Sequence, residues 1–172
     1  MTSAPTPGTH PGSTPGTPPG TARVTRTFAV PAATAWDALT DARRHGRWVP
    51  MTRVATDGPA RLGTRVVATS GPGAHRGVPG LVDRMQITRF DPPGDVGAGP
   101  GVAVFTKRGP LLLGEATVEV LATSPTTCRV TWSERVPLVG PLPAALTTRL
   151  TAPLLGGMLR IVLGRAAAEL GA

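Results

Sequence analysis

The sequence predicts an α+β fold in which an antiparallel sheet wraps around one long helix near the C-terminus. Two observations predict it. Between residues 51 and 136, short alternating segments follow one another, separated by Gly/Pro turns, as in a meander of hairpins. Residues 143–170 then form a mostly apolar run with helical spacing. At about 100° per residue, Leu150, Leu154, Met158, Ile161 and Val162 make one side of that helix. Leu155, Leu159, Leu163 and Leu170 carry the apolar surface round the back, leaving a thin polar stripe with Arg149 and Arg160. Such a helix needs a large apolar partner, since burying each leucine-sized side chain is worth about 1.5–3 kcal/mol. The sheet supplies that partner, and a pocket between the two is expected. Pro153 either kinks this helix or marks its true start after Thr151.

The chain opens with Pro7-Gly8-Thr9, Pro11-Gly12-Ser13, Pro15-Gly16-Thr17 and Pro19-Gly20-Thr21, a four-residue repeat. Collagen needs Gly at every third position, so it is excluded. With almost nothing apolar to bury, residues 1–22 are expected to be a disordered tail, and residues 23–172 one folded domain. The tail has no Lys, no Arg and no apolar core, unlike a secretory signal.

A strand is predicted over residues 24–30, with Val24, Phe28 and Val30 on one face. Pro31 then opens a helix carrying Ala32, Ala35, Trp36 and Leu39, because a missing N–H costs nothing in a first turn. A second helical turn spans residues 43–47. Strands follow at 51–57, 64–70, 81–90, 102–108, 114–122 and 127–136, with a Gly/Pro-rich loop at 71–80 and a turn at 91–100. Val66, Ala68 and Ser70 share a face, as do Leu81, Asp83, Met85 and Ile87. In the last strand Cys128, Val130, Trp132, Glu134 and Val136 do the same.

Composition excludes several function classes. The formal charge is +8, but the arginines are scattered, with no basic run or interleaved aromatics, so no nucleic-acid partner is expected. A single cysteine, Cys128, excludes an intrachain disulfide and a Cys-based zinc cluster. Neither His45 nor His75 has ligand neighbours at metal spacing, so no metal and no cofactor are expected. Arg149, Arg160, Arg165 and Glu169 interrupt the last helix too often for an integral membrane span. Peripheral membrane contact and a homodimer are left open, and a cytoplasmic location is the default.

The chain resembles a known superfamily. Val30-Pro31-Ala32 through Trp36-Asp37-Ala38-Leu39-Thr40-Asp41 looks like the opening of START-like (SRPBCC) domains, and within them of the polyketide cyclase/dehydrase and lipid-transport group. His45-Gly46-Arg47-Trp48, Gly63-Thr64, Asp83-Arg84-Met85, Phe90-Asp91-Pro92-Pro93 and Val130-Thr131-Trp132-Ser133-Glu134 fall in matching order. The resemblance implies a helix-grip (Bet v 1-like) fold with a curved seven-stranded sheet around the C-terminal helix and two short helices after the first strand. It also implies a cavity for a lipid, sterol or polyketide. It carries over no catalytic residue.

The pocket lining expected on these grounds is Trp48, Met51, Val66, Ala68, Met85, Ile87, Phe105, Trp132, Glu134, Leu154 and Met158. Glu134 and Asp83 share faces with apolar residues, and an ionised carboxylate turned inward must be paired, solvated or protonated. The structural reading gives Glu134 an Arg partner at a rim, or ion-pairs both inward carboxylates, Asp83 and Glu134, with Arg26. The chemical reading makes Glu134, Asp83 and His75 candidates for acid/base catalysis, with none assigned. His75 sits in a loop where simple solvation is the plainer reading, and His45 is read as a packing or capping residue beside Trp48. Three functions remain: binding or carriage of a small hydrophobic ligand, polyketide cyclisation or dehydration, and an interaction module built on the apolar C-terminal helix.

Overall fold

The computed structural model describes residues 18–109, 111–141 and 143–171. Seven strands, β1 (Ala22–Phe28), β2 (Thr52–Thr56), β3 (Arg65–Ser70), β4 (Leu81–Asp91), β5 (Gly101–Arg108), β6 (Leu113–Ser124) and β7 (Thr127–Arg135), form one sheet. Their order is β1-β7-β6-β5-β4-β3-β2, and every neighbouring pair is antiparallel. Helices α1 (Ala32–Thr40) and α2 (Ala42–Trp48) connect β1 to β2, and α3 (Ala144–Leu170) ends the chain. This is the curled helix-grip sheet that the sequence predicts.

Alternation places the core. On β7, Cys128, Val130, Trp132 and Glu134 are all buried, as is Val136 just beyond it. Val66 and Ala68 of β3 and Phe105 of β5 face the same interior. Alternation along these strands turns those residues inward. The register of β4 shifts between Ile87 and Arg89, and that of β6 between Ala122 and Ser124. Bulges of this kind sharpen local twist and help the sheet curl. Helix α1 lies against β6 and β7 while α2 lies against β2, so the pair bridges two sides of the curl.

Asp41 links the two short helices. Its side chain accepts from the Arg43 backbone N–H at 3.2 Å, an N-cap for α2, and pairs with the Arg43 guanidinium at 2.8 Å. That contact holds its carboxyl below the usual carboxylate range.

The long helix is continuous from Ala144, so Pro153 lies inside it and does not mark its start. It buries less of its apolar surface than expected. Leu159, Val162, Leu163, Ala166 and Ala167 are sealed in the core, whereas Leu150, Leu154 and Ile161 are exposed. The physical reason is that the helix packs on β1, β7, α1 and α2 mainly through its second half. Near its start Thr151 Oγ1 lies 3.0 Å from the Val136 carbonyl, tying the helix to the end of β7. Among the described residues α3 alone is long and apolar enough to cross a bilayer, a property that core helices share.

The expected disordered tail lies outside the described residues up to position 17. From Pro18 the chain is described: Thr21 N–H donates to the Pro18 carbonyl at 3.2 Å. Gly20 adopts φ +80°, and a Cβ there would sit 2.6 Å from Thr148 Oγ1. Only glycine lets this turn approach α3 so closely.

Candidate ligand-binding site

A cavity of about 430 Å³ lies between the concave sheet and the first half of α3. The sheet contributes Val66 and Ala68 from β3, Met85 from β4, Phe105 from β5, Ala116 from β6 and Trp132 from β7. Helix α3 contributes Thr151, Leu154, Leu155 and Met158. Leu81, Leu138 and Leu154 line the cavity yet are 44%, 43% and 76% exposed, so they mark its mouth.

One wall carries charge. Lys107, the chain's one lysine, is buried and faces the cavity. Its Nζ donates to Asp83 Oδ2, lies 2.9 Å from Glu134 Oε1, and reaches Met85 Sδ at 3.9 Å. Register explains the reach. Lys107 stands opposite Met85 on one side and Gly114 on the other, and Ala116 of β6 stands opposite Glu134. Gly114 and Ala116 leave the intervening strand without bulk, so the lysine can extend over β6 to β7. Burial lowers the Lys107 pKa, but the charges of Glu134 and Asp83 and their hydrogen bonds more than reverse this. The net shift is upward, and the amine is an ammonium at neutral pH.

His45 closes the cavity beside Trp132, whose ring centroid is 5.1 Å away. Its Nε2–H donates to the Leu39 carbonyl in the last turn of α1 at 2.8 Å, so it both packs and caps. Burial holds its imidazole below the ordinary value of 6.5. Two buried polar atoms on the cavity-lining residues have no hydrogen-bond partner among the described residues: Asp83 Oδ1 and Trp132 Nε1.

Of the residues singled out from sequence, Val66, Ala68, Met85, Phe105, Trp132, Glu134, Leu154 and Met158 line the cavity, with Asp83 among them. Trp48 does not. It is buried behind His45, and its indole N–H donates to Glu169 Oε2 at 2.7 Å, joining α2 to α3. Met51 is 57% exposed, because φ +53° in the turn before β2 directs it outward. Ile87 is the inward position after Met85, where the interior closes into solid core around Phe105 and Phe90. His75 is exposed in a short 3₁₀ turn and lies outside the cavity.

The expected ion partners are also corrected. Arg26 is exposed on β1, and β7, β6 and β5 separate it from β4, so it cannot pair with Asp83. Glu134 is buried with a lysine instead of sitting at a rim with an arginine. Sequence reasoning missed Lys107. The signal was there: it follows Phe105 by two on β5 and so shares its inward face. Among the described residues no three His, Cys, Asp or Glu side chains gather as metal ligands do.

A curled seven-stranded sheet gripping a long helix over an apolar cavity defines a START-like protein. The family model described as polyketide cyclase / dehydrase and lipid transport matches residues 19–171, and the chain belongs to that family. Solved structures share the fold. A START superfamily protein from Mycobacterium smegmatis is 13% identical, with 87% of this chain and 98% of that one covered at a TM-score of 0.60. A solution structure from Thermobifida fusca is 21% identical, covering 88% and 93% at 0.62. Norcoclaurine synthase from Thalictrum flavum, in complex with dopamine and hydroxybenzaldehyde, is 13% identical, covering 87% and 84% at 0.58. No curated protein sequence matches the chain.

Proposed function

We propose that this protein binds and carries a small hydrophobic molecule, lipid or polyketide-like, in the cavity between sheet and α3, within the cytoplasm. One observation carries the reading: about 430 Å³ of space is kept open between mostly apolar walls, with exposed leucines at its mouth. That volume falls in the usual range for small-molecule pockets. Unfilled apolar space costs stability, so a fold that retains it has reason to have it occupied. Met85 and Met158 suit a wall that adapts to its guest. Native mass spectrometry of detergent-free protein, with displacement of a solvatochromic dye, tests the reading. A retained hydrophobic adduct and displaceable dye are expected; a protein that binds neither dye nor adduct overturns it.

A second reading, cyclisation or dehydration of a polyketide-like substrate, is supported by Glu134 and Asp83 on the cavity wall. It requires a carboxylate to move a proton while Lys107 holds it. Turnover of a poly-β-ketone mimic that disappears in Glu134→Gln while binding persists would favour this reading. The exposed Leu146, Leu150 and Leu154 of α3 support the third, an interaction surface, which liposome flotation and sizing across concentrations would examine.

A further inference from the structure

We infer that the polar end of the cavity selects ligands carrying a protonated amine over ligands of the same shape ending in a hydroxyl or a carboxylate. The inference rests on the cavity being the binding site. Among the described residues its ionisable lining consists of His45, Asp83, Lys107 and Glu134. His45 is neutral at pH 7, since burial opposes its charged form. One ammonium therefore faces two carboxylates, and the cluster has a formal excess of one negative charge inside an apolar chamber.

The lysine cannot serve a ligand anion. Its donors are directed at Asp83, at Glu134 2.9 Å away, and toward Met85 Sδ at 3.9 Å. The free capacity is on the acceptor side, where Asp83 Oδ1 is buried without a partner. A buried acceptor left empty and a buried charge left unbalanced are both costly, and one ligand ammonium relieves both. A carboxylate would add a second unbalanced negative charge, and a hydroxyl would leave the excess as it is. Trp132 Nε1, two positions before Glu134 on β7, is a buried donor without a partner and would take an oxygen acceptor on the ligand body.

Decylamine, decanol and decanoate have one tail and three headgroups, and calorimetric titration of the full chain with each tests the inference. The chain's overall charge of +8 attracts the acid and repels the amine at long range, so a preference for the amine must arise at the cluster. Decylamine is expected to bind at least about tenfold tighter than decanol, with decanoate weakest. Glu134→Gln and Asp83→Asn each bring the formal charge to zero. Either should reduce the amine's advantage over decanol, measured on the same variant, to about threefold or less. Two outcomes overturn the inference while leaving the hydrophobic reading intact: equal binding of amine and alcohol by the native chain, or an amine preference that survives both substitutions. Failure of all three compounds to bind removes the cavity as the site, and both readings fall.

Discussion

The indole N–H of Trp48 donates to Glu169 Oε2 at 2.7 Å, joining the last residue of α2 to the last turn of α3. Arg47 reaches the other oxygen at 3.0 Å, and Arg165 donates to the Trp48 carbonyl at 3.1 Å. The helix end is thus fastened at the back of the cavity. Replacing Glu169 with Ala leaves a buried indole donor unpaired, and should cost about 1–3 kcal/mol. Arg47→Ala removes a largely exposed ion pair and should cost under about 1 kcal/mol. Urea unfolding followed by tryptophan fluorescence distinguishes the two, and equal losses would mean that the indole contact carries no special weight.

Lys107→Met removes the one cation from a buried cluster of three charges. Breaking such a cluster from one side should destabilise the protein by about 3–5 kcal/mol. Adding Asp83→Asn and Glu134→Gln to the same chain should recover much of that loss, because no uncompensated charge remains. Denaturant midpoints of the single and triple variants provide the measurement.

His45 makes stability depend on pH. Its folded-state pKa lies below the unfolded value of about 6.5, so between the two the unfolded chain binds the extra proton. Stability from this group is complete above about pH 6.5 and falls as pH drops below it, by at most about 1.4 kcal/mol per pH unit. The fall levels off below the depressed folded value. His45→Gln should flatten the slope just below about pH 6.5, read from thermal unfolding at each pH.

Filling the cavity should abolish uptake without harming the fold. Ala68 lies on the β3 wall next to open space, so Ala68→Phe places an aromatic ring where a guest would lie. Dye binding should drop by more than about tenfold while the melting temperature is kept or raised. A variant that melts early but still binds dye would contradict this.

At Gly20, alanine would meet Thr148 Oγ1 at 2.6 Å in a backbone at φ +80°. Gly20→Ala should destabilise by more than about 1 kcal/mol. Differential scanning calorimetry of the two chains measures it.

Element order, strand faces and the long helix were legible because alternation and helical spacing are local properties of the chain. Eight of the eleven lining residues singled out from these patterns together with the family resemblance line the cavity. The rest depended on information that no local pattern holds. Met51 turned out because of one backbone angle, and Trp48 was claimed by a carboxylate 121 residues away. Asp83 was matched with Arg26 because both share faces with apolar residues. Which cation lies within reach depends on strand order, and β5 stands next to β4 where β1 does not. The exposed leucines at the start of α3 escaped for a similar reason: spacing marks an apolar face but not where the supporting sheet ends.

Lys107 is the chain's one lysine and Cys128 its one cysteine, and both are buried, at 6% and 0% exposure. The two side chains that common conjugation reagents seek are therefore shielded while the fold is closed. Maleimide attack on the thiol and ester attack on the ε-amine should both be slow in the native protein and fast once the chain unfolds. Because one lies in the packed interior and the other on the cavity wall, comparing the two rates would report whether the chamber breathes separately from the body around it.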